Sequence, residues 1–342
     1  MRFKNRHKKS IRIFINYFLG PILFAWVSYS IYHQVQSQPN LELSWNRIRD
    51  SFGSSMIWNL VGTVALMLVN WSIETVKWRT AVKRIQNVGF GTAFKAVLSG
   101  VSFSVTTPNR VGEYLGRVLY MEEGNRIKAI SLTIVGSMSQ LLITIIMGLV
   151  GLIVLRGPIE KSGIITGFWL ELVIYGALAM ALILTLFYFR LPGLVKWLDR
   201  LPAGRKYGWL IEALEEFDAT LLLQLLSLSA LRFFVFIVQY YLLFRLFDVD
   251  VSWWQGLWAV SVSFVVLAVI PTIALFTDLG LRGTVSLKLL GLFSSNHLGI
   301  SLASVSIWFI NLIIPALAGS LLILSVRGIF RQKNEPESNK TG

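Results

Sequence analysis

The chain has 342 residues, 54% hydrophobic and 15% charged, against about 25% charged in a soluble domain. A positive mean hydropathy and repeated apolar runs of about 20 residues exclude an ordinary soluble domain; runs of that length are also too long for barrel strands, so the fold class is all-α and polytopic in a membrane. The net charge of +14 is clustered, which speaks for membrane topology and anionic headgroups rather than nucleic acid, and the absence of cysteine excludes disulfides, thiolate metal sites and thiol nucleophiles.

Residues 1–12 carry six Lys/Arg and precede the apolar run 13–32. That run is too long for a signal peptide and lacks a small-x-small cleavage site, so the expectation is an uncleaved first helix with its N-terminus inside. Further crossings are expected at 54–76, 129–155, 168–189, 225–247 and 299–326. Two more apolar segments, 90–107 and 254–277, end at polar interruptions, giving eight apolar segments in all. Gln140, Gln239 and Asn311 read as interhelical hydrogen-bond glue. Arg232 reads as snorkelling to the headgroups, Pro315 as a kink, and 207–224 as an amphipathic surface helix.

Loop charge fixes the direction. The stretches 1–12, 77–84, 109–128, 190–206 and 327–342 hold 23 of the 32 Lys/Arg. The loops 33–53, 156–167 and 248–253 are poor in excess basic residues. With every basic stretch in the cytoplasm, segment 90–107 enters from the inside and returns, and 254–298 enters and leaves from the outside. The expected architecture is about six crossing helices plus two re-entrant helical hairpins. It forms an inverted repeat of units 54–155 and 225–326, with 13–32 and 168–189 peripheral or linking. The domain division follows: a basic cytoplasmic tail 1–12, one integral membrane domain 13–328, and a cytoplasmic tail 329–342. Inverted repeats with broken apolar segments at matching positions mark transporters, with the substrate site between the repeats.

The two interruptions carry the chemistry. The first reads Thr107-Pro108-Asn109-Arg110-Val111-Gly112-Glu113-Tyr114-Leu115-Gly116-Arg117; the second has Pro271, then Thr277-Asp278-Leu279-Gly280-Leu281-Arg282-Gly283. Pro108 disfavours helix at Thr107, so a new helix is expected near Arg110, whose guanidinium forks onto phosphate oxygens. Gly112 permits close approach, and Glu113 and Arg117 are spaced to pair on one helix face. The charge order reverses in the second passage, which suggests that Arg110 with Asp278, or Glu113 with Arg282, meet across the pseudo-twofold axis. The alternative is an ordinary salt-bridged juxtamembrane turn. Ionised groups at membrane depth are functional suspects by default. The expected substrate-binding residues are therefore Pro108, Arg110, Gly112, Glu113, Arg117, Asp278, Gly280 and Arg282. No catalytic constellation, nucleotide-binding loop or metal-ligand spacing appears, so neither an enzyme nor a bound cofactor is expected.

The passage Pro108-x-Arg110-x-Gly112-Glu113-x-x-x-Arg117 resembles the Pro-Gly-Arg-x-Gly-Glu motif of the lysylphosphatidylglycerol synthase transmembrane-region family, the flippase-like domain. The second passage is similar to that family's Gly-x-Gly-x-Arg-Glu stretch, with Asp278 where Gly is usual and Gly283 where Glu is usual. The resemblance spans about 10–328 and implies a multi-pass protein of the bacterial inner membrane, without the synthases' soluble aminoacyl-transferase domain. It implies a translocase that moves or binds an anionic phospholipid or polyprenyl lipid between leaflets. The alternatives are a membrane-embedded enzyme, or a scaffold for lipid or lipid-linked glycan synthesis with a lipid-synthesis enzyme as partner.

Overall fold

The structure, a computed structural model, describes residues 41–105, 107, 111–199, 218–270 and 275–333, with a few positions between 29 and 36; at 41, 44, 191–199, 275–277 and 324–333 it describes the backbone alone. The expected first helix 13–32 therefore lies outside the described residues, as do most of the expected surface helix 207–224 and the tail 334–342. Among the described residues the chain is helical, without strands: α1 Leu41–Phe52, α2 Ile57–Val82, α3 Phe90–Val105, α4 Gly112–Val118, α5 Arg126–Val154, α6 Arg156–Ser162, α7 Gly167–Asp199, α8 Ala219–Leu246, α9 Trp253–Val269, α10 Leu275–Leu290, α11 His297–Trp308 and α12 Ile314–Lys333.

Five stretches among the described residues are long and apolar enough to cross a membrane: Ile57–Val82, Glu123–Val154, Gly167–Arg190, Ala219–Leu246 and His297–Ile323. Shorter apolar helices occupy Phe90–Val105 and Trp253–Val269. At 1.5 Å per residue they reach about 24–26 Å, short of a hydrocarbon core of about 30 Å. α7 is the peripheral one: Phe168, Trp169, Tyr175, Ile183 and Leu186 are exposed along it, a face suited to lipid.

Several boundaries differ from the sequence expectation. α2 continues to Val82, six residues past the expected end, so Lys77 and Arg79 belong to a helix rather than a basic loop. No Gly or Pro interrupts the sequence until Gly89, and charged side chains do not stop a helix if they find partners. α7 likewise runs past Arg190, and α8 begins at Ala219 inside the expected surface helix. Between α11 and α12 the helix widens into a π segment, Phe309–Ile313. Pro315, two residues beyond it, offers no N–H to the preceding turn.

Each short apolar helix folds back on a partner. α3 packs on α4, and α9 on α10. In the first pair the break is bridged by Thr107, whose hydroxyl donates to the Phe103 carbonyl (3.1 Å) and accepts from the Gly112 N–H (2.7 Å). Gly116 lies against the backbone of Gly100, with no room for a Cβ on either. At the open end of this pair Arg79 donates to the Val88 carbonyl, Gln86 accepts from the Glu122 N–H, and Asn125 donates to the Ile85 carbonyl. Residues 83–89 and 119–125 are thus neighbours, at the end of the bundle where α2 finishes. The second pair opens where α2 begins: Asn296 donates to the Phe247 and Asp248 carbonyls, and Arg47 of α1 pairs with Asp248 at 3.3 Å.

The packing is reciprocal. α2 and α8 lie side by side, α3 packs on α12, and α9 packs on α5. Both cross-contacts run through glycine: Gly319 of α12 abuts the Leu98 backbone, and Gly148 and Gly151 of α5 abut Val265 and Val262. One apolar core gathers around α3, with Ala93, Ala96, Val97 and Leu132, and a second around α9 and α11, with Val260, Ile300, Phe244 and Leu243. Side chains at these glycines would force the hairpins off the bundle. Gly148→Leu and Gly319→Leu are expected to lower the thermal midpoint of the purified protein by several degrees, whereas Gly157→Leu, where a Cβ meets nothing within 4 Å, should leave it within about a degree; fluorescence-detected melting in detergent checks this.

Candidate functional site

The site grows from Glu74, which the helical period places on the face of α2 turned toward the protein interior. A lone carboxylate there would be strongly disfavoured, and three cations surround this one. Lys77, one turn on, donates to Oε2 at 2.7 Å; Arg232 of α8 donates to Oε2 at 2.8 Å; Arg117 of α4 donates to Oε1 at 2.8 Å. Arg117 also pairs with Glu113 one turn earlier on α4. Glu74, Lys77 and Arg117 are all at most 4% exposed.

A polar layer extends the cluster. Arg232 Nε donates to Asn70 Oδ1 at 2.7 Å, and the Asn70 amide donates to Asn311 Oδ1 at 3.4 Å. The Arg232 guanidinium stands over the Trp71 ring at 5.1 Å and near Phe236 at 5.6 Å, a favourable stacking for a delocalised cation. Asn311 lies in the π segment. A second ionised group stands on α10, where Arg282 Nε donates to Asp278 at 3.0 Å and Tyr240 of α8 lies against the same guanidinium.

Both groups line one cavity of about 610 Å³. Its ionised wall comprises Glu74, Lys77, Glu113, Arg232, Asp278 and Arg282. Aromatic and aliphatic side chains, chief among them Trp71, Phe236, Phe264, Leu267 and Trp308, make most of the rest, with uncharged polar side chains such as Gln140 and Asn311 among them. Val269 and Ile270 carry the lining out to the exposed surface. Arg232 and Tyr240 are eight residues apart on α8, about 12 Å along its axis, so the two charged stations sit at separate levels. Three of the lining residues carry an unmet polar atom: Trp71 Nε1, Trp308 Nε1 and Gln140 Oε1 are buried without a hydrogen-bond partner. Each such group costs about 1–3 kcal/mol relative to a paired one. The neighbouring Trp78 is buried on the same helix, yet its indole donates to Thr133 at 3.0 Å.

Of the residues singled out in the sequence, Glu113, Asp278 and Arg282 meet at this cavity, and Arg117 stands directly behind it. Gly112 serves the hairpin contact against Phe103, and Gly280 is buried within α10. Pro108 and Arg110 lie outside the described residues. The expected pairing of Glu113 with Arg282 is corrected: each acid pairs with the arginine four residues on in its own helix, because that spacing already brings the charges together. Arg232 does not snorkel; a carboxylate and an amide hold it inside. Asn311 and Gln140 do more than glue helices, since both line the cavity, while Gln239 ties α8 to the Thr63 carbonyl.

The sequence reading missed Glu74, Lys77 and Asn70. Their signal is a Glu and a Lys three residues apart, flanked by Trp71 and Trp78, in a run that nothing interrupts. Among the described residues no group of three or more His, Asp or Glu is placed to hold a metal ion. Removing the central carboxylate should leave buried Lys77 without its counter-charge and take one partner each from Arg117 and Arg232, at a cost on the order of 3–5 kcal/mol. Glu74→Gln is therefore expected to lower the thermal midpoint far more than Glu113→Gln, whose carboxylate is 26% exposed and faces one arginine; equal midpoints would show that Glu74 is not the hub.

No curated protein matches the chain. The family described as lysylphosphatidylglycerol synthase TM region matches residues 17–319, nearly the whole length. With its spanning-length helices and its two short paired ones, the chain is a multi-pass membrane protein that belongs to the lysylphosphatidylglycerol synthase TM region family.

Proposed function

We propose that this protein is a lipid translocase of the bacterial inner membrane, receiving the headgroup of an anionic phospholipid or polyprenyl lipid in the central cavity and passing it between leaflets. The observation that carries this reading is one cavity with ionised groups from both hairpins, aromatic side chains packed beside them, and an apolar rim at Val269 and Ile270 that reaches the surface. A phosphate needs cations at membrane depth, and acyl or prenyl chains need an apolar way out; this cavity supplies both. Before lipid enters, Glu74 and Asp278 satisfy Arg232 and Arg282. An entering phosphate shares the remaining guanidinium N–H donors of Arg232 and Arg282 with these carboxylates, so neither the cations nor the acids are left bare in the membrane. Passage from one station to the other keeps the phosphate hydrogen-bonded throughout.

In the same reading the two halves form an inverted repeat, with α2–α5 as one unit and α8–α12 as the other. The reciprocal packing of α3 on α12 and α9 on α5, and the hairpins opening at opposite ends, support it. The basic stretches then face the cytoplasm, with both termini inside. Asn87→Cys and Asp250→Cys, each unique in a chain without cysteine, are expected to react with an impermeant thiol reagent from opposite faces, Asn87→Cys from the cytoplasmic one; labelling from the same face overturns the repeat.

Reconstituted vesicles test the transport. A fluorescent anionic phospholipid should cross at least tenfold faster with protein than without. Arg232→Ala and Arg282→Ala should each lose most of that rate, and Lys161→Ala, on the exposed α6, none of it. Wild-type vesicles no faster than empty ones, or headgroup turnover without movement, would overturn the reading.

A further inference from the structure

The ionised groups of the cavity already satisfy one another, so they do not by themselves say how a bound lipid is oriented. The unpaired atoms do. Trp71 and Trp308 are each more than nine-tenths buried, both line the cavity, and neither indole N–H has an acceptor among the described residues. They belong to one patch: Trp71 lies under Arg232, Arg232 donates to Asn70, Asn70 donates to Asn311, and Trp308 is three residues before Asn311. Gln140, another lining residue, adds an unpaired carbonyl oxygen, its amide being turned to the Ser229 carbonyl at 3.5 Å. An indole N–H is a donor only, and an aromatic ring with an unmet polar tip is out of place inside an apolar wall.

We propose that Trp71 and Trp308 form an uncharged subsite that donates two hydrogen bonds to ester oxygens of the bound lipid, holding the linkage between headgroup and chains beside Arg232. The inference rests on the lipid-binding reading and adds to it a register: charge fixes the headgroup, the two indoles fix the linkage, and the chains leave past Phe264 and Leu267. Phosphoester and carboxylic ester oxygens share the acceptor chemistry required. Gln140 Oε1 accepts from a hydroxyl or amine of the headgroup.

Trp-selective ¹⁵N labelling gives at most twelve indole signals, one per tryptophan, with Trp71→Phe and Trp308→Phe assigning the two of interest. The protein in maltoside micelles is titrated with dioctanoyl phosphatidylglycerol, with its dialkyl ether analogue, and with inorganic phosphate. Saturable downfield movement of both indoles is expected, with the Trp78 signal, already bonded to Thr133, unchanged. Movement with the diester lipid alone assigns carboxylic ester oxygens; movement with the ether lipid or with phosphate assigns phosphate oxygens. Each Phe variant should weaken apparent lipid binding about fivefold, as for one lost hydrogen bond. If Arg232-dependent lipid transport is present but neither indole moves, or only one does, the subsite is overturned and the lipid reading stands. If wild-type protein neither moves lipid nor shifts any indole, the lipid reading itself falls.

Discussion

One carboxylate holds this molecule together. Glu74 accepts from Lys77 on its own helix, from Arg117 on the first hairpin and from Arg232 on α8. Three elements distant in sequence therefore converge on two oxygen atoms. In water such pairs contribute little; away from water, losing any partner leaves an uncompensated charge. The arrangement is thus demanding rather than merely favourable: α2, α4 and α8 must assemble together, or the buried charges stand alone.

That constraint explains the shape around it. The hairpin must come close enough for a seven-residue helix, α4, to deliver Arg117, which requires the Gly100–Gly116 contact and the Thr107 bridge. α2 must run past the expected end of its apolar stretch, so that Lys77 sits inside rather than in a loop. Because Lys77 and Arg232 are held by bonds to protein rather than by the headgroup region, they stay in the cavity wall. The same groups that weld the core form one wall of the cavity, which makes structure and site hard to separate by deletion and easier to separate by conservative replacement.

The two charged stations differ in depth of support. The first is a network of five ionised groups with an amide layer behind it; the second is the Asp278–Arg282 pair with Tyr240 beside it. At the second station the acid is Asp278, one turn before Arg282, and the four-residue spacing on one helix brings the two together.

Sequence alone determined the class of the protein, the apolar segments from 54 onward, the two broken segments and three residues of the cavity wall. Each of these is written in local pattern: apolar length sets what crosses, Pro and Gly set what breaks, and charge in apolar surroundings marks what matters. Glu113, Asp278 and Arg282 were legible for that reason. Glu74 and Lys77 were not, because a hydropathy window sees a charge and ends the helix, whereas the folded chain sees a charge with partners and continues it. Arg232 was visible but misread, since only the packing of α2 against α8 decides whether a long cation reaches for headgroups or for a carboxylate. The pairing of Glu74 with Arg117 and Arg232, the joining of two polar passages into one cavity, and the amide contact of Asn70 with Asn311 depend on residues up to 241 positions apart. Such contacts are decided by tertiary structure, where desolvation makes an unpartnered charge too costly to leave.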